Sequence, residues 1–134
     1  MTDIVVTAAN VVQGAGAVVA HGVAGVAITA GQVVYLDTAT GKWKLADANG
    51  TGTTHPGGIA LNNAAANQPV AVQTSGDITV GGTLVAGSRY YLSATAGGIM
   101  PEADLTTGDN VALLGLAKST TVLALKITEP GVTL

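Results

Sequence analysis

Two stretches of this chain repeat one pattern at a fixed offset, and that repeat limits the folds open to it more than any other feature. Residues 28–43 read Ile-Thr-Ala-Gly-Gln-Val-Val-Tyr-Leu-Asp-Thr-Ala-Thr-Gly-Lys-Trp, and residues 84–99 read Leu-Val-Ala-Gly-Ser-Arg-Tyr-Tyr-Leu-Ser-Ala-Thr-Ala-Gly-Gly-Ile. At an offset of 56 positions, Ala30 matches Ala86, Gly31 matches Gly87, Tyr35 matches Tyr91, Leu36 matches Leu92 and Gly41 matches Gly97. Each copy is an extended run rich in β-branched and aromatic residues, then a Gly-closed turn, then a second run. That order predicts a β-hairpin, because Gly supplies the positive φ of a tight turn and period-2 alternation puts Trp43 and Leu45 on one face.

The order continues downstream. Gly115-Leu116-Ala117 echoes Gly58-Ile59-Ala60, and residues 122–127 echo residues 70–74. Two units, about 28–80 and 84–128, therefore form a duplicated β domain over 28–134, preceded by leading strands and an N-terminal arm over 1–27. The expected class is all-β: a small β-sandwich or barrel of about eight strands plus the N-terminal ones, built from two similar hairpin units. In finer detail, His21-Gly22 and Ser75-Gly76-Asp77 read as turns between short strands. Residues 62–69 are the one place where a helical turn fits before Pro69 stops it.

Composition removes several function classes. With 134 residues the chain is one domain, and with five Lys and Arg and a net charge of −3 it has no basic stripe to displace counterions from nucleic acid. It contains no Cys, so neither disulfides nor thiolate metal sites are available. Residues 11–36 carry no Asp, Glu, Lys or Arg, a length that would span a bilayer as a helix. Five interrupting glycines make that helix costly, at about 1 kcal/mol each relative to Ala, so no membrane span is expected. The Met-Thr-Asp start lacks the positive region of a secretory signal. Hydrophobic residues make up 48% and charged residues 10% of the chain, which leaves little charge to keep copies apart and points to an obligate assembly.

Groups able to do chemistry are sparse. His21 and His55, with Asp37 or Asp47, are the nearest approach to a metal set, but no His-x-His or acid-rich loop joins them. Gly57-Gly58 and Gly81-Gly82 lack the lysine and following helix of a phosphate loop, and residues 37–41 lack the acidic density of a calcium loop. Trp43 and the tyrosines suggest a sugar platform. Adjacent Tyr90 and Tyr91 must face opposite ways in a strand, however, and Trp43 fits a core or an interface better. No catalytic residue, metal or cofactor is expected, and the chain does not read as an enzyme.

Residues 28–37, with Trp-Lys-Leu-Ala-Asp at 43–47 and Gly-Gly-Ile-Ala-Leu at 57–61, resemble the capsid decoration or cement proteins of tailed bacteriophages. The likeness spans about residues 27–127 and rests on repeat pattern and composition; the lead before it has no counterpart. The resemblance implies a virion protein made in the host cytoplasm that binds the outside of the capsid. Its partners would be the major capsid protein and its own copies, commonly as a homotrimer. Other virion parts (a head fibre, tail or receptor-binding module) and a small carbohydrate-binding module are the competing readings. Thr2, Asp3, Ile4, Val5, Val6 and Thr7 are the expected partner-binding residues. They have strand-forming character yet lie outside the duplicated unit, so a sister protomer or capsid subunit would complete them by β-augmentation, unless they pair with an edge of their own sheet.

Overall fold

A computed structural model of the chain describes residues 3–49 and 53–133. The described residues are all-β, with ten antiparallel strands in one sheet that curls into an open half-barrel. No α-helix occurs among the described residues, which hold two single 3-10 turns at Ala8–Asn10 and Glu102–Asp104. In chain order the strands are β1 (Val11–Gln13), β2 (Val18–Val23), β3 (Val33–Asp37), β4 (Lys42–Leu45), β5 (Gly58–Ala60), β6 (Pro69–Val80), β7 (Arg89–Leu92), β8 (Ile99–Pro101), β9 (Leu113–Ala117) and β10 (Val122–Thr128).

Strand β6 is the spine. Along one side it pairs with β1 and β2, along the other with β5 and β10, and the sheet order runs β4-β3-β5-β6-β10-β9-β7-β8. The expected turn at Ser75-Gly76-Asp77 is therefore wrong, because those residues lie inside β6. Gly76 has φ +95°, and the register against β2 slips between Val18 and Val19. The glycine marks a kink within one strand, the usual meaning of Gly in a strand interior. Over this kink folds the β1–β2 connection, where Gly14 N–H donates to Asp77 O at 2.8 Å and Asp77 N–H to Ala15 O at 3.0 Å.

Two further local expectations fail for identifiable reasons. His21-Gly22 is strand, not turn, because β2 pairs continuously with β6 from Val19↔Gln73 to Val23↔Pro69. Residues 62–69 form no helical turn. Asn62 Oδ1 accepts from Ala71 N–H at 2.7 Å, Asn63 Oδ1 from Ala30 N–H at 2.9 Å, and Gln68 Oε1 from Ala65 N–H at 3.0 Å. Such side-chain bonds offer the backbone partners other than a helix.

The hairpins β3–β4 and β7–β8 share one register after the 56-residue offset: Tyr35↔Lys44 and Leu36↔Trp43 in the first, Tyr91↔Met100 and Leu92↔Ile99 in the second. Their closing turns carry Gly41 at φ +72° and Gly97 at φ +76°. Next in the sheet, Val34↔Gly58 corresponds to Tyr90↔Gly115, followed by Ile59↔Gln73 and Leu116↔Ala124. Gly58 and Gly115 are also sterically alike. A methyl group on Gly58 would strike the carbonyl oxygen of Gln73, and one on Gly115 that of Ala124. Backbone cannot yield as a flexible side chain does. Gly58→Ala and Gly115→Ala should each cost about 1–3 kcal/mol in urea unfolding; a cost near zero for both would show that the strand spacing is misjudged.

Alternation along β3 and β5 divides the interior. Val33 and Ile59 enter a core with Ile78, Leu92, Ile99, Leu114 and Leu123, while Val34 and Ala60 enter a second with Ile28, Trp43, Val70 and Val72. Successive residues point to opposite faces, and here both faces are covered. The second core is covered by the chain after β2, where Gly25 N–H donates to Trp43 O at 2.7 Å.

Candidate interaction surface

In the single chain the N-terminal segment is seated on its own sheet, one of the two placements the sequence left open. Ile4 N–H donates to Ile99 O at 3.0 Å, and Thr7 N–H to Gly81 O at 2.8 Å. Asp3 Oδ2 accepts from Ser93 Oγ at 2.7 Å, and Ser93 Oγ accepts in turn from Thr95 N–H at 3.0 Å. Period-2 alternation then sorts the side chains. Ile4 packs against the larger core and Val6 lies over Gly31, while Val5 points out at 84% exposure. Of the six expected residues, Thr2 falls outside the described ones.

Beside this segment Val85 is 66% exposed, held in place by its N–H donating to Tyr90 Oη at 2.9 Å. A shallow groove lined by Ile4, Val85, Tyr90 and Pro101 runs past it, and Val5 borders a second with Ser93, Met100 and Thr106. Asp109, almost fully buried in that second groove, accepts from the Thr106 N–H and hydroxyl at 3.0 and 3.2 Å, so its carboxylate serves the loop. Sequence reading found the segment but missed Val85, whose one signal was its position opposite Thr29 in the repeat.

An apolar trough on the outer face of β7, β9 and β10 was not anticipated either. Leu113, Leu116 and Ala124 line it between Arg89 and Lys126, with Leu116 46% exposed. Its signal was present in β10, where Leu123 and Leu125 are buried while Ala124 and Lys126 face out.

Residues weighed for chemistry do not converge. His21 is exposed on β2, and His55 Nδ1 lies 2.8 Å from Glu129 Oε2 in another part of the chain. Among the described residues no group of three or more His, Cys, Asp or Glu is arranged to hold a metal ion. No helix of the described residues is long and apolar enough to cross a membrane. The four aromatic residues offer no platform: Trp43, Tyr90 and Tyr91 are buried, and Tyr35 is half-buried against the larger core.

Across the first hairpin, Lys44 Nζ reaches Asp37 Oδ2 at 2.8 Å. This lysine, aided by Ala39 N–H, holds the Asp37 carboxyl below the usual carboxylate range, and Asp37 raises Lys44 above the usual lysine range. A lowered carboxyl pKa adds stability that is present above the unfolded value and lost as pH falls through the folded one. A raised lysine pKa adds stability that is present below the unfolded value and lost as pH rises through the folded one. The pair's contribution should therefore be full between about pH 4 and 10 and small, since both groups meet solvent. Melting curves should find Asp37→Asn less stable than wild type at pH 7 and the difference gone near pH 2; a pH-independent difference would mean that the charge is irrelevant.

No protein-family model matches the chain, and comparison with curated proteins and with solved structures gave no match either.

Proposed function

We propose that this chain is a non-catalytic structural protein of a virion, which binds the outer surface of a tailed-phage capsid and bridges neighbouring capsid subunits. The observation that carries this reading is the distribution of exposed branched aliphatic side chains over a charge-poor β body. Val5, Val18, Leu36, Val85 and Leu116 stand out on different strands and connections, each more than 40% exposed. Scattered apolar contacts of this kind suit a protein that is covered on several sides by an assembly. Each contact can be weak, since repetition over a lattice multiplies affinity through effective concentration.

In this reading the sheet is one β unit used twice, which the shared registers of β3–β4 and β7–β8 support. The protein acts as a homo-oligomer, a trimer by resemblance, and Asp3, Ile4, Val5, Val6 and Thr7 with the neighbouring Val85 form the edge that meets the capsid. Stabilisation of the shell is the activity to measure. Heads lacking the protein should release their DNA at a higher temperature once it is added back, with the gain saturating at a fixed ratio of protein to capsid subunit. An unchanged release temperature at saturating protein would count against the proposal.

A further inference from the structure

We propose that the slot beside β8, filled in a single chain by residues 3–7, is a docking site for the same segment of a second copy, so that copies associate by exchanging N-terminal segments. The slot is shaped for this segment. It offers the Ile99 and Gly81 carbonyls as acceptors and the Ser93 hydroxyl as a donor. It also brings Gly31 and Gly82 directly beneath the arriving chain. A methyl group on Gly31 would collide with Val6 Cγ1, and one on Gly82 would lie 2.6 Å from Val5 O. Contacts this close leave the arriving chain little clearance, and they accept Ile4 and Val6 inward with Val5 outward.

The attachment of the segment is slight. Among the described residues, two backbone hydrogen bonds and the Ser93–Asp3 side-chain bond tie residues 3–7 to the sheet, and none of their side chains is fully buried. The segment leads into the 3-10 turn Ala8–Asn10, which has no side-chain cap and no buried residue. Only beyond it does β1 join β6 in register, from Val11↔Val80 to Gln13↔Ile78. Residues 3–7 thus form a lightly held segment outside the strands, on a short, exposed hinge of the kind that invites domain swapping. Exchange remakes every contact of the closed chain in a neighbour, so its cost is confined to the hinge and to association. β8 is the last strand of the sheet, and an emptied slot would leave its edge unpaired, which drives refilling by whichever copy is near.

This inference concerns copies of the chain alone and can be tested without capsids. Since the chain has no Cys, Asp3→Cys and Ser93→Cys can be made as separate single variants and mixed, wild-type folding being checked by circular dichroism. Exchange predicts that oxidation of the mixture gives the mixed dimer, disulfide-linked between the two substituted positions, several-fold above either homodimer, with the yield rising with protein concentration. Mixed dimer at its statistical share would overturn the proposal, as would closure of the Asp3→Cys, Ser93→Cys double variant into a cross-linked monomer at every concentration. Light scattering of unsubstituted protein is an independent check. The full chain should be oligomeric and a chain without residues 1–7 monomeric, whereas equal masses would refute exchange.

Discussion

Trp43→Ala is expected to remove about 3–5 kcal/mol of stability, a large fraction of the total that holds a domain folded. Trp43 is 7% exposed and is the largest side chain of the second core, where Ile28, Val34, Val70 and Val72 surround it. Its indole lies between two glycines. A methyl group on Gly22 would lie 2.6 Å from Nε1, and one on Gly57 2.7 Å from the six-membered ring. Neither glycine has a side chain that could move into the vacated space, so the cavity would persist and the cavity penalty would be felt in full. Trp43 O also accepts from Gly25 N–H, which ties the chain after β2 to β4. Chemical denaturation should place the variant's midpoint far below wild type, or find it unfolded. A loss under about 1 kcal/mol would mean that the second core repacks freely and that Trp43 does not organise it.

Gly76→Val should be nearly as damaging, and for a different reason. At φ +95° a β-branched residue is strained, at about 1–3 kcal/mol. Any side chain there would also collide with the Gly16 carbonyl in the connection folded over the kink. Together these effects should cost about 3 kcal/mol or more. Because β6 carries β1 and β2 on one side and β5 and β10 on the other, straightening the kink disturbs both cores together. The variant should unfold in one transition at lower denaturant. Two separated transitions would indicate that the two ends of β6 are independently stable.

The repeat made the hairpins legible. Alternation and turn glycines placed β3, β4, β7 and β8, because these are local signals carried by residues that also pair locally. The spine was not legible as a single strand. Gly76 carries the same symbol in a turn as in a strand kink, and only pairing with β2 and β10, distant in sequence, decides between them. His21-Gly22 misled for the same reason, since Gly22 is small to accommodate Trp43 and does not bend the chain. At the candidate surface, Val5 was identified by its place in a strand-forming segment. The slot holding that segment is made from Gly31, Gly81, Ser93 and Ile99, which no sequence motif joins. The outer trough on β9 and β10 was hidden because Leu116 and Leu114 look alike in sequence and differ only in the face they occupy.

Binding to the capsid is the central claim, and co-sedimentation with heads that lack the protein tests it most directly. Wild-type protein should pellet with the particles to a saturating, symmetry-related stoichiometry. The variant carrying Val5→Asp and Val85→Asp should remain in the supernatant while keeping wild-type stability, because both side chains are exposed in the free protein. Wild-type protein left in the supernatant at all concentrations would contradict the account.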